Sequence, residues 1–469
     1  MLLYLLIMIV FRIQLTYKDS KKTLILSSKN NNTFLFQAMM KKTFILLIVA
    51  SVFAACSHTP KPVGPIPTEA QLHWQRLQTY AFIHFGLNTF NDMEWGYGDT
   101  PAETFNPSDL DCEQWVLTLK ACGMQGVILT AKHHDGFCLW PTETTDYCIK
   151  NSPYKNGQGD VVGELCDACR KHGLKFGLYL SPWDRHQASY GTEEYVELYH
   201  QQIQELVDHY GPFFEFWFDG ANGGNGWYGG ANETRSIDAD TYYDFEKARD
   251  IIWERYPETM IFGGTVPTIR WIGNERGYAD ATLWCTQDGT WLPAETDVSI
   301  RPGWFYHDNE APKTLEELLD IYYNSVGHNT NLLLNFPVNK EGKIPSADSL
   351  RVVEWHQVLQ NTFANNLLEG LKPTIQNKDT HPEWIYSFNE PTLVSQVVLE
   401  EDVLFGQHVE RFSLCYYRNG KWLPVETDEV LTTIGFKRII RFKPATMEKL
   451  RIRILKTQAP VVFYKISAY

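Results

Sequence analysis

One short aromatic segment, Phe214–Gly220, carries two carboxyl groups that point to possible chemistry. Side chains alternate between the two faces of a β-strand. The three phenylalanines are therefore predicted to share one face, while Glu215, Trp217 and Asp219 share the other. If the phenylalanines pack against helices, Asp219 points inward at the end of the strand, where a carboxylate is costly unless it is hydrogen-bonded or used. An Asp in this place can also cap the next turn, so position alone leaves both interpretations open.

Polar side chains follow several other short apolar runs in the same way. In a barrel of parallel strands the active site lies where the carboxyl ends of the strands meet. The polar residues just after each run are therefore the candidates for a common site. They include Asn88, Lys132, Asp135, Ser181, Trp183 and Asp184 as well as His84, Glu94, Trp95, His133, His134, Tyr179, Glu275 and Glu295.

Two features raise the question of a metal. His133 and His134 are adjacent, so their side chains diverge, whereas a barrel metal site would take two His two residues apart on one strand. Contacts between neutral imidazoles and sugar hydroxyls are the favoured interpretation. Cys166 and Cys169 form a C-x-x-C that no second pair and no His completes, and they are predicted to be core thiols on a helix. We predict no metal, no cofactor and no disulfide framework.

Strand-like and helix-like segments alternate between residues 75 and 365. The predicted strands are Tyr80–Phe85, Gly126–Ala131, Lys175–Leu180, Phe213–Phe218, Met260–Gly263, Ala281–Thr286, Trp304–His307 and Leu332–Phe336. The predicted helices are Asp109–Ala121, Asp160–His172, Glu193–Tyr210, Thr241–Tyr256 and Thr314–Val326. About eight such units predict an α/β fold, a (β/α)8 TIM-like barrel. A doubly wound sheet is the alternative, although no G-x-G-x-x-G follows the first strand and no Walker loop is present.

The last hundred residues lack helical patterns. Short alternating runs at Leu393–Leu399, Val409–Tyr417, Arg438–Phe442 and Leu450–Ile454 predict a C-terminal β-sandwich. The predicted domains are an upstream extension with a lipoprotein signal peptide (1–55), a linker (56–70), a catalytic barrel (71–365) and the sandwich (370–469). The sandwich is expected to be either carbohydrate-binding or structural.

Composition narrows the class of partner. The 469 residues include 56 acidic and 42 basic side chains, giving a formal net charge of −14, whereas nucleic-acid binding needs a basic surface. Nucleic acid is therefore not an expected partner. The 15 Trp, 24 Tyr and 26 Phe indicate either a large core or a surface that stacks on the apolar faces of sugars.

The N-terminal region is typical of a targeting signal. Lys41 and Lys42 precede the apolar run 43–50, and Ala54 and Ala55 precede Cys56. The run is short for a transmembrane helix, and a Cys after small residues resembles the bacterial lipoprotein signal. We expect lipidation of Cys56, with residues 1–38 lying upstream of the true start. The mature protein would be exported and held in the cell envelope, facing the periplasm, with this anchor as its only membrane contact.

Several separate motifs, in order, resemble the α-L-fucosidases of glycoside hydrolase family 29. They are Phe82–Phe90, Glu94–Gly96, Lys132–Phe137 and Trp217–Ala221. The resemblance covers roughly Leu72 to Pro337. Two later strings, Arg270–Glu275 and Asp297–Trp304, resemble the subgroup that acts on α-1,3/1,4-linked fucose of branched glycans.

The resemblance implies a retaining mechanism. Asp219 matches the nucleophile, and a second carboxyl group about 5–5.5 Å away would serve as acid/base. Glu275 matches the subgroup's acid/base, with Glu295 in reserve. Trp95 and Phe137 are expected to stack on apolar faces of the sugar. The residues that match fucose-holding positions are His84, Glu94, His133, His134, Tyr179 and Trp217.

The expected activity is the exo-acting release of terminal L-fucose from a fucosylated oligosaccharide or glycoconjugate. Two alternatives stay open. One is a glycan-binding lipoprotein without catalysis, which would bind fucosides without releasing fucose. The other is a barrel glycosidase of another sugar specificity, which initial rates on fucosides and galactosides would distinguish.

Overall fold

The computed structural model describes residues 61–285, 289–377 and 381–469. The predicted signal segment with its lipidation site, Cys56, lies outside these ranges. None of the helices within them combines the length and the apolar character that crossing a bilayer requires.

Eight parallel strands form a nearly closed barrel, as the sequence predicts. The strands of this half are β1 (Thr79–Ile83), β2 (Gly126–Lys132), β3 (Lys175–Leu180), β4 (Glu215–Trp217), β5 (Gly224–Gly226), β6 (Glu233–Arg235), β7 (Met260–Phe262), β8 (Arg270–Trp271), β9 (Ala294–Ser299) and β10 (Thr330–Asn335). The order in the sheet is β7-β4-β3-β2-β1-β10-β9-β8, and β5 and β6 form a separate hairpin. The N–H groups of Thr268 and Ile269 donate to the carbonyl of Ile261 at 2.9 and 3.4 Å, which links β7 to the segment entering β8.

The helices of the barrel half lie before β1 and after most of the barrel strands. They are α1 (Glu69–Gln75), α2 (Leu87–Asn91), α3 (Cys112–Ala121), α4 (Val161–His172), α5 (Glu193–His209), α6 (Ala239–Tyr242), α7 (Phe245–Arg255), α8 (Leu315–Asn324) and α9 (Ser346–Thr362). Among the described residues, β7 and β8 are followed by loops, with only the 3-10 turn Ala281–Leu283 between β8 and β9. This irregular part of the barrel carries Glu275.

Helix ends follow from local chemistry. The Asp160 carboxylate accepts a hydrogen bond from the N–H of Gly163 at 2.8 Å, which caps the first turn of α4. The same helix ends at Gly173, whose φ of 69° is accessible to glycine at little cost. Thr314 and Glu317 form a reciprocal capping box at the start of α8.

Two predicted strands are wrong. Ala281–Leu283, within the first of them, is a 3-10 turn, and Trp304–His307 lies in the loop after β9. The strands in this region are instead β8 and β9. The inward face of β9 carries polar side chains, so apolar alternation does not reveal it as a strand.

The inside of the barrel is aromatic. Trp217 packs there with Tyr80, Phe82 and Tyr179, while Phe216 and Phe218 belong to the outer core between strands and helices. The predicted alternation of β4 is therefore confirmed for the residues on either side of Trp217. Phe214, which precedes β4, departs from it and packs on the inner cluster, with its ring 5.3 Å from that of Tyr80.

The C-terminal region is the predicted antiparallel β-sandwich. Its strands are β11 (Thr374–Gln376), β12 (Glu383–Glu401), β13 (Val409–Arg418), β14 (Lys421–Pro424), β15 (Arg438–Thr457) and β16 (Phe463–Ala468). They follow the order β11-β12-β15-β13-β14, with β16 paired to β12, and enclose their own apolar core. The N–H of Ile439 donates to the carbonyl of Gly327 at 2.9 Å, which joins the sandwich to the barrel.

The cysteines of the described ranges are all free thiols. Six are buried, including Cys166 and Cys169 on α4, while Cys285 is exposed and Cys415 is partly exposed. Within the same ranges, no group of three or more His, Cys, Asp or Glu side chains is arranged to hold a metal ion.

Candidate active site

A pocket of about 530 Å³ opens at the carboxyl ends of the barrel strands. This is the end of a (β/α)8 barrel at which active sites form. Nine of the residues that the sequence singled out line it, namely His84, Glu94, Trp95, His133, His134, Tyr179, Trp217, Asp219 and Glu275. The structure therefore brings together residues that are up to 191 positions apart in the chain (His84 to Glu275).

Asp219 lines the pocket and is held in one orientation. Its Oδ2 accepts a hydrogen bond from the Tyr179 hydroxyl at 2.9 Å, and its Oδ1 accepts one from the N–H of Ala221 at 2.7 Å. The side chain is 24% exposed. A carboxylate that is oriented by two donors and open to the pocket can attack an electrophilic carbon without first reorganising.

His84 is a neutral acceptor. Asn335 donates its amide hydrogens to the Ser299 hydroxyl and the Trp304 carbonyl at 2.9 and 2.8 Å, so its Oδ1 is left facing His84 Nδ1 at 2.8 Å. Nδ1 must then be the protonated nitrogen, which leaves the Nε2 lone pair for a ligand hydroxyl. Burial lowers the pKa of His84 to about 3, so this imidazole is uncharged at neutral pH.

His133 and His134 are also buried. Burial lowers the pKa of both, and the negative charge of Asp219 only partly offsets this for His134. The Nδ1 of His134 lies 2.7 Å from the hydroxyl of Ser181, which itself donates to the Trp183 carbonyl. His134 Nε2 is 3.8 Å from Asp219 Oδ2, too far for a hydrogen bond, and is therefore free to contact a ligand.

Glu94 connects the pocket to the loop after β9. Its carboxylate accepts hydrogen bonds from the N–H groups of Trp304 and Phe305 at 2.9 and 3.2 Å. His307 Nε2 lies 2.7 Å from the same carboxylate. Burial tends to lower the pKa of His307, but its contacts with Asp92 and Glu94 outweigh this and raise it. Glu94 thus fixes the loop that forms one wall of the pocket.

Glu275 and Glu295 lie in different places. Glu275 follows β8 in a loop and lines the pocket, where its Oε2 accepts a hydrogen bond from Trp304 Nε1 at 3.1 Å. Glu295 lies inside the barrel on β9 and does not line the pocket. It accepts hydrogen bonds from Tyr80 and, at 2.8 Å, from Trp217 Nε1. Burial raises its pKa.

Comparison with known proteins gives the family. The family model described as "Alpha-L-fucosidase" matches residues 60–361. The α-L-fucosidase 1 of Arabidopsis thaliana is 40% identical over 434 residues, which cover 82% of this chain and 83% of that protein. The chain belongs to the α-L-fucosidase family. It is accordingly a glycoside hydrolase.

Solved structures agree with this family in fold. A glycoside hydrolase family 29 member from an unknown rumen bacterium is 45% identical, with a TM-score of 0.84, and the match covers 87% of this chain and 78% of that one. A family 29 fucosidase of Ruminococcus gnavus, solved in complex with fucose, is 32% identical with a TM-score of 0.79. That match covers 88% of this chain and 96% of that one.

The fucosidase pocket also contains side chains to which the sequence analysis gave no individual role. Phe262, Trp271, Asp297 and Trp304 line it as well. Phe262 stacks on Trp217, with ring centroids 3.8 Å apart, and so fixes that indole. Strand alternation gives a signal for Asp297, because it stands two residues after Glu295 on β9 and must share its inward face.

One sequence expectation about the sugar contacts is wrong. Phe137 does not line the pocket but is buried in the core, where its ring lies 5.4 Å from those of Phe105 and Tyr147. The chain turns at Gly136, whose φ is 89°, and directs Phe137 away from the two histidines. Trp95, by contrast, is at the pocket and is 54% exposed.

Behind the two histidines lies a buried group of charges. The Lys132 ammonium donates to the Asp184 carboxylate at 3.3 Å. Asp135 is buried beside this pair, and its Oδ2 has no hydrogen-bond partner among the described residues. Burial, with a further contribution from the charge of Asp184, raises the pKa of Asp135 to about 7.

Asp135 should make folding stability depend on pH. Its folded pKa is above the unfolded value, so its contribution is complete near pH 4 and is lost as pH rises towards 7. We expect Asp135→Asn to abolish this loss, with a gain that grows from pH 4 to 7 up to about 4 kcal/mol. Chemical unfolding of the wild type and of Asp135→Asn at pH 4 to 8 measures this difference in the free energy of unfolding. A difference that is the same at every pH would contradict the prediction.

Proposed function

We propose that this fucosidase is an exo-acting retaining enzyme that releases terminal L-fucose from α-1,3/1,4-fucosylated glycans, with Asp219 as nucleophile and Glu275 as acid/base. The observation that carries the proposal is that these two carboxyl groups line one pocket, whereas Glu295 does not. Asp219 is oriented by Tyr179 and Ala221, and Glu275 lies beside the indole of Trp304.

The reaction has two steps. In the first, an oxygen of Asp219 forms a bond to the anomeric carbon while the glycosidic C–O bond breaks, and Glu275 gives its proton to the departing oxygen. In the second, the Glu275 carboxylate takes a proton from water, whose oxygen bonds to the anomeric carbon as the bond to Asp219 breaks. Each exchange inverts the carbon, so the product retains the starting configuration.

The remaining pocket residues are proposed to hold the sugar. The neutral imidazoles of His84, His133 and His134 can accept hydrogen bonds from fucose hydroxyls or donate to them. Because they are uncharged, they do not form an ion pair with Asp219. The carboxylate of Glu94 can accept from a further hydroxyl, and Tyr179, Trp95 and Trp217 offer apolar faces. Because these contacts surround a single fucose, the fucose at the non-reducing end of the glycan must enter the pocket first.

The proposed linkage preference is supported by how two strings meet. In the strings Arg270–Glu275 and Asp297–Trp304, Trp271 Nε1 donates to Asp297 at 2.7 Å, and Trp304 Nε1 donates to Glu275 at 3.1 Å. The strings that resemble the α-1,3/1,4 subgroup therefore form one wall of the pocket together.

Assays of the wild-type enzyme test both the proposed fucose release and the proposed linkage preference. Incubation with an α-1,3- or α-1,4-fucosylated trisaccharide should release fucose, and NMR of the first product should show the α anomer. Binding without release would favour the glycan-binding alternative, and faster cleavage of galactosides would favour another sugar specificity. Turnover of simple aryl fucosides as fast as branched glycans would refute the linkage preference.

The proposed location is the cell envelope, through a lipid on Cys56. The support is the order of basic residues, apolar run, two Ala and Cys in the sequence. In a bacterial host, Cys56→Ser should abolish incorporation of labelled fatty acid and move the enzyme from the membrane fraction to the soluble fraction. Unchanged labelling of the variant would exclude this anchor.

A further inference from the structure

Two indoles stand at the rim of the pocket in contact with solvent. Trp95 is 54% exposed and Trp271 is 46% exposed, and both line the pocket. A large apolar ring left in water at the edge of a cavity indicates a contact surface for a ligand. Trp95 has a proposed role in contacting fucose, whereas the proposed function gives no role to Trp271.

Trp271 is held in a fixed orientation. It is the last residue of β8, and it pairs with Glu295 of β9 in the parallel ladder. Its Nε1 donates a 2.7 Å hydrogen bond to Oδ1 of Asp297, which is buried. Because the ring is anchored at one edge by the neighbouring strand, its exposed face is preorganised, and a ligand that stacks on it need not order it.

Its position relates it to the leaving group. Trp271 stands four residues before Glu275, and both side chains line the pocket. Under the proposed function Glu275 protonates the glycosidic oxygen, so the sugar beyond that oxygen must emerge on the Glu275 side. The Trp271 indole donates to Asp297, and Asp297 is close enough to Glu275 for their charges to interact, so the indole lies on that side of the rim.

The charge of the pocket limits which sugars can bind there. The lining includes the carboxylates of Glu94 and Asp219 but, within the described residues, no Lys or Arg. An acidic sugar would be repelled by carboxylates and would find no cation to pair with. A neutral pyranose, by contrast, has an apolar face of C–H groups that matches an indole ring.

We propose that Trp271, anchored by Asp297, is the platform on which the first sugar of the leaving group stacks, and that this sugar is a neutral pyranose. The inference rests on the proposed function. It makes Trp271 a specificity residue and Asp297 a positioning residue that acts through it.

The test compares two substrates that differ in the leaving group. α-L-Fucosyl fluoride carries no leaving-group sugar, whereas a fucosylated trisaccharide does. For Trp271→Ala we expect the ratio of kcat/KM for trisaccharide over fluoride to fall on the order of 10- to 100-fold. The matched control is Tyr464→Ala, which removes an aromatic ring that is 69% exposed on β16 and should leave the ratio unchanged.

Asp297 is tested by a conservative and a truncating variant. Burial raises the pKa of Asp297, so Asn resembles its neutral form and keeps an oxygen for the indole. Asp297→Asn should preserve the ratio, and Asp297→Ala should lower it in the manner of Trp271→Ala. Equal losses on both substrates in Trp271→Ala would show a purely structural role, and an unchanged ratio would exclude the platform. Failure of the proposed function itself would differ, because the wild type would then release fucose from neither substrate.

Discussion

Replacing Asp219 by Ala is expected to lower kcat/KM for a fucosylated trisaccharide about 10⁴-fold or more, a loss of about 5 kcal/mol of transition-state stabilisation. The carboxylate is held by the hydroxyl of Tyr179 and the N–H of Ala221, so the wild-type enzyme needs no reorganisation before attack. Ala removes the only atoms that can form the covalent intermediate in the proposed mechanism, and water in the same space is a far weaker nucleophile.

Trapping the intermediate gives the direct readout. With 2-deoxy-2-fluoro-α-L-fucosyl fluoride, the good leaving group speeds the first step while the 2-fluorine slows the second, so the adduct should accumulate. Mass spectrometry of digested wild-type protein should place the added mass on the peptide that contains Asp219. Asp219→Ala should show no adduct. Labelling of another carboxylate would contradict the assignment of the nucleophile.

A matched control separates chemistry from charge. Asp208 lies on α5 outside the pocket, where its exposed carboxylate pairs with Arg255 at 3.1 Å. Asp208→Ala removes the same functional group and the same formal charge, and an exposed pair of this kind contributes at most about 1 kcal/mol to stability. It should leave kcat/KM unchanged. A comparable loss in this control would mean that the effect of Asp219→Ala is not specific to the pocket.

Asp219 also shows how far sequence reasoning reached. Strand alternation placed Trp217 inside the barrel and Phe216 and Phe218 outside it, and the structure has them there. The prediction succeeded because β4 is apolar on its outer face, where helices cover it. The positions of the histidines followed from the same principle, since polar residues after a buried strand reach the carboxyl end of the barrel.

For other parts of the site, the local sequence pattern gave only a weak indication of structure. On β9, Glu295, Asp297 and Ser299 are buried and polar, because the barrel interior satisfies them with hydrogen bonds from Trp217, Trp271 and Asn335. Such partners are distant in sequence, so neither the strand nor the role of Asp297 was evident. The prediction that Phe137 stacks on the sugar was wrong for a related reason, since the direction of a side chain after a turn depends on the backbone at that turn.

The second large effect on activity is expected from replacing Glu275, the carboxyl group proposed as the acid in preference to Glu295. Glu275→Gln should lower kcat/KM for the trisaccharide about 10²- to 10⁴-fold, because Gln cannot protonate the departing oxygen. The loss on α-L-fucosyl fluoride should be much smaller, since fluoride leaves without a proton.

Glu295→Gln is the matched variant, with the same change of one oxygen for an amide. Glu295 is reached by the indole of Trp217 and the hydroxyl of Tyr80 inside the barrel, and does not line the pocket. Burial already raises its pKa, so an uncharged Gln of the same size resembles its neutral form. Any effect should pass through the position of Trp217, which contacts the sugar in both substrates. We therefore expect Glu295→Gln to change the two kcat/KM values by similar factors.

The two variants give opposite patterns if the assignment is reversed. A selective loss on the trisaccharide in Glu295→Gln, with Glu275→Gln close to wild type on both substrates, would make Glu295 the acid. That outcome would require the barrel interior to open, because the indole of Trp217 separates Glu295 from the pocket. The hydrogen bond from Trp304 keeps Glu275 at the pocket wall without such a change. The substrate dependence of these two substitutions therefore tests the position of the proton donor as well as its identity.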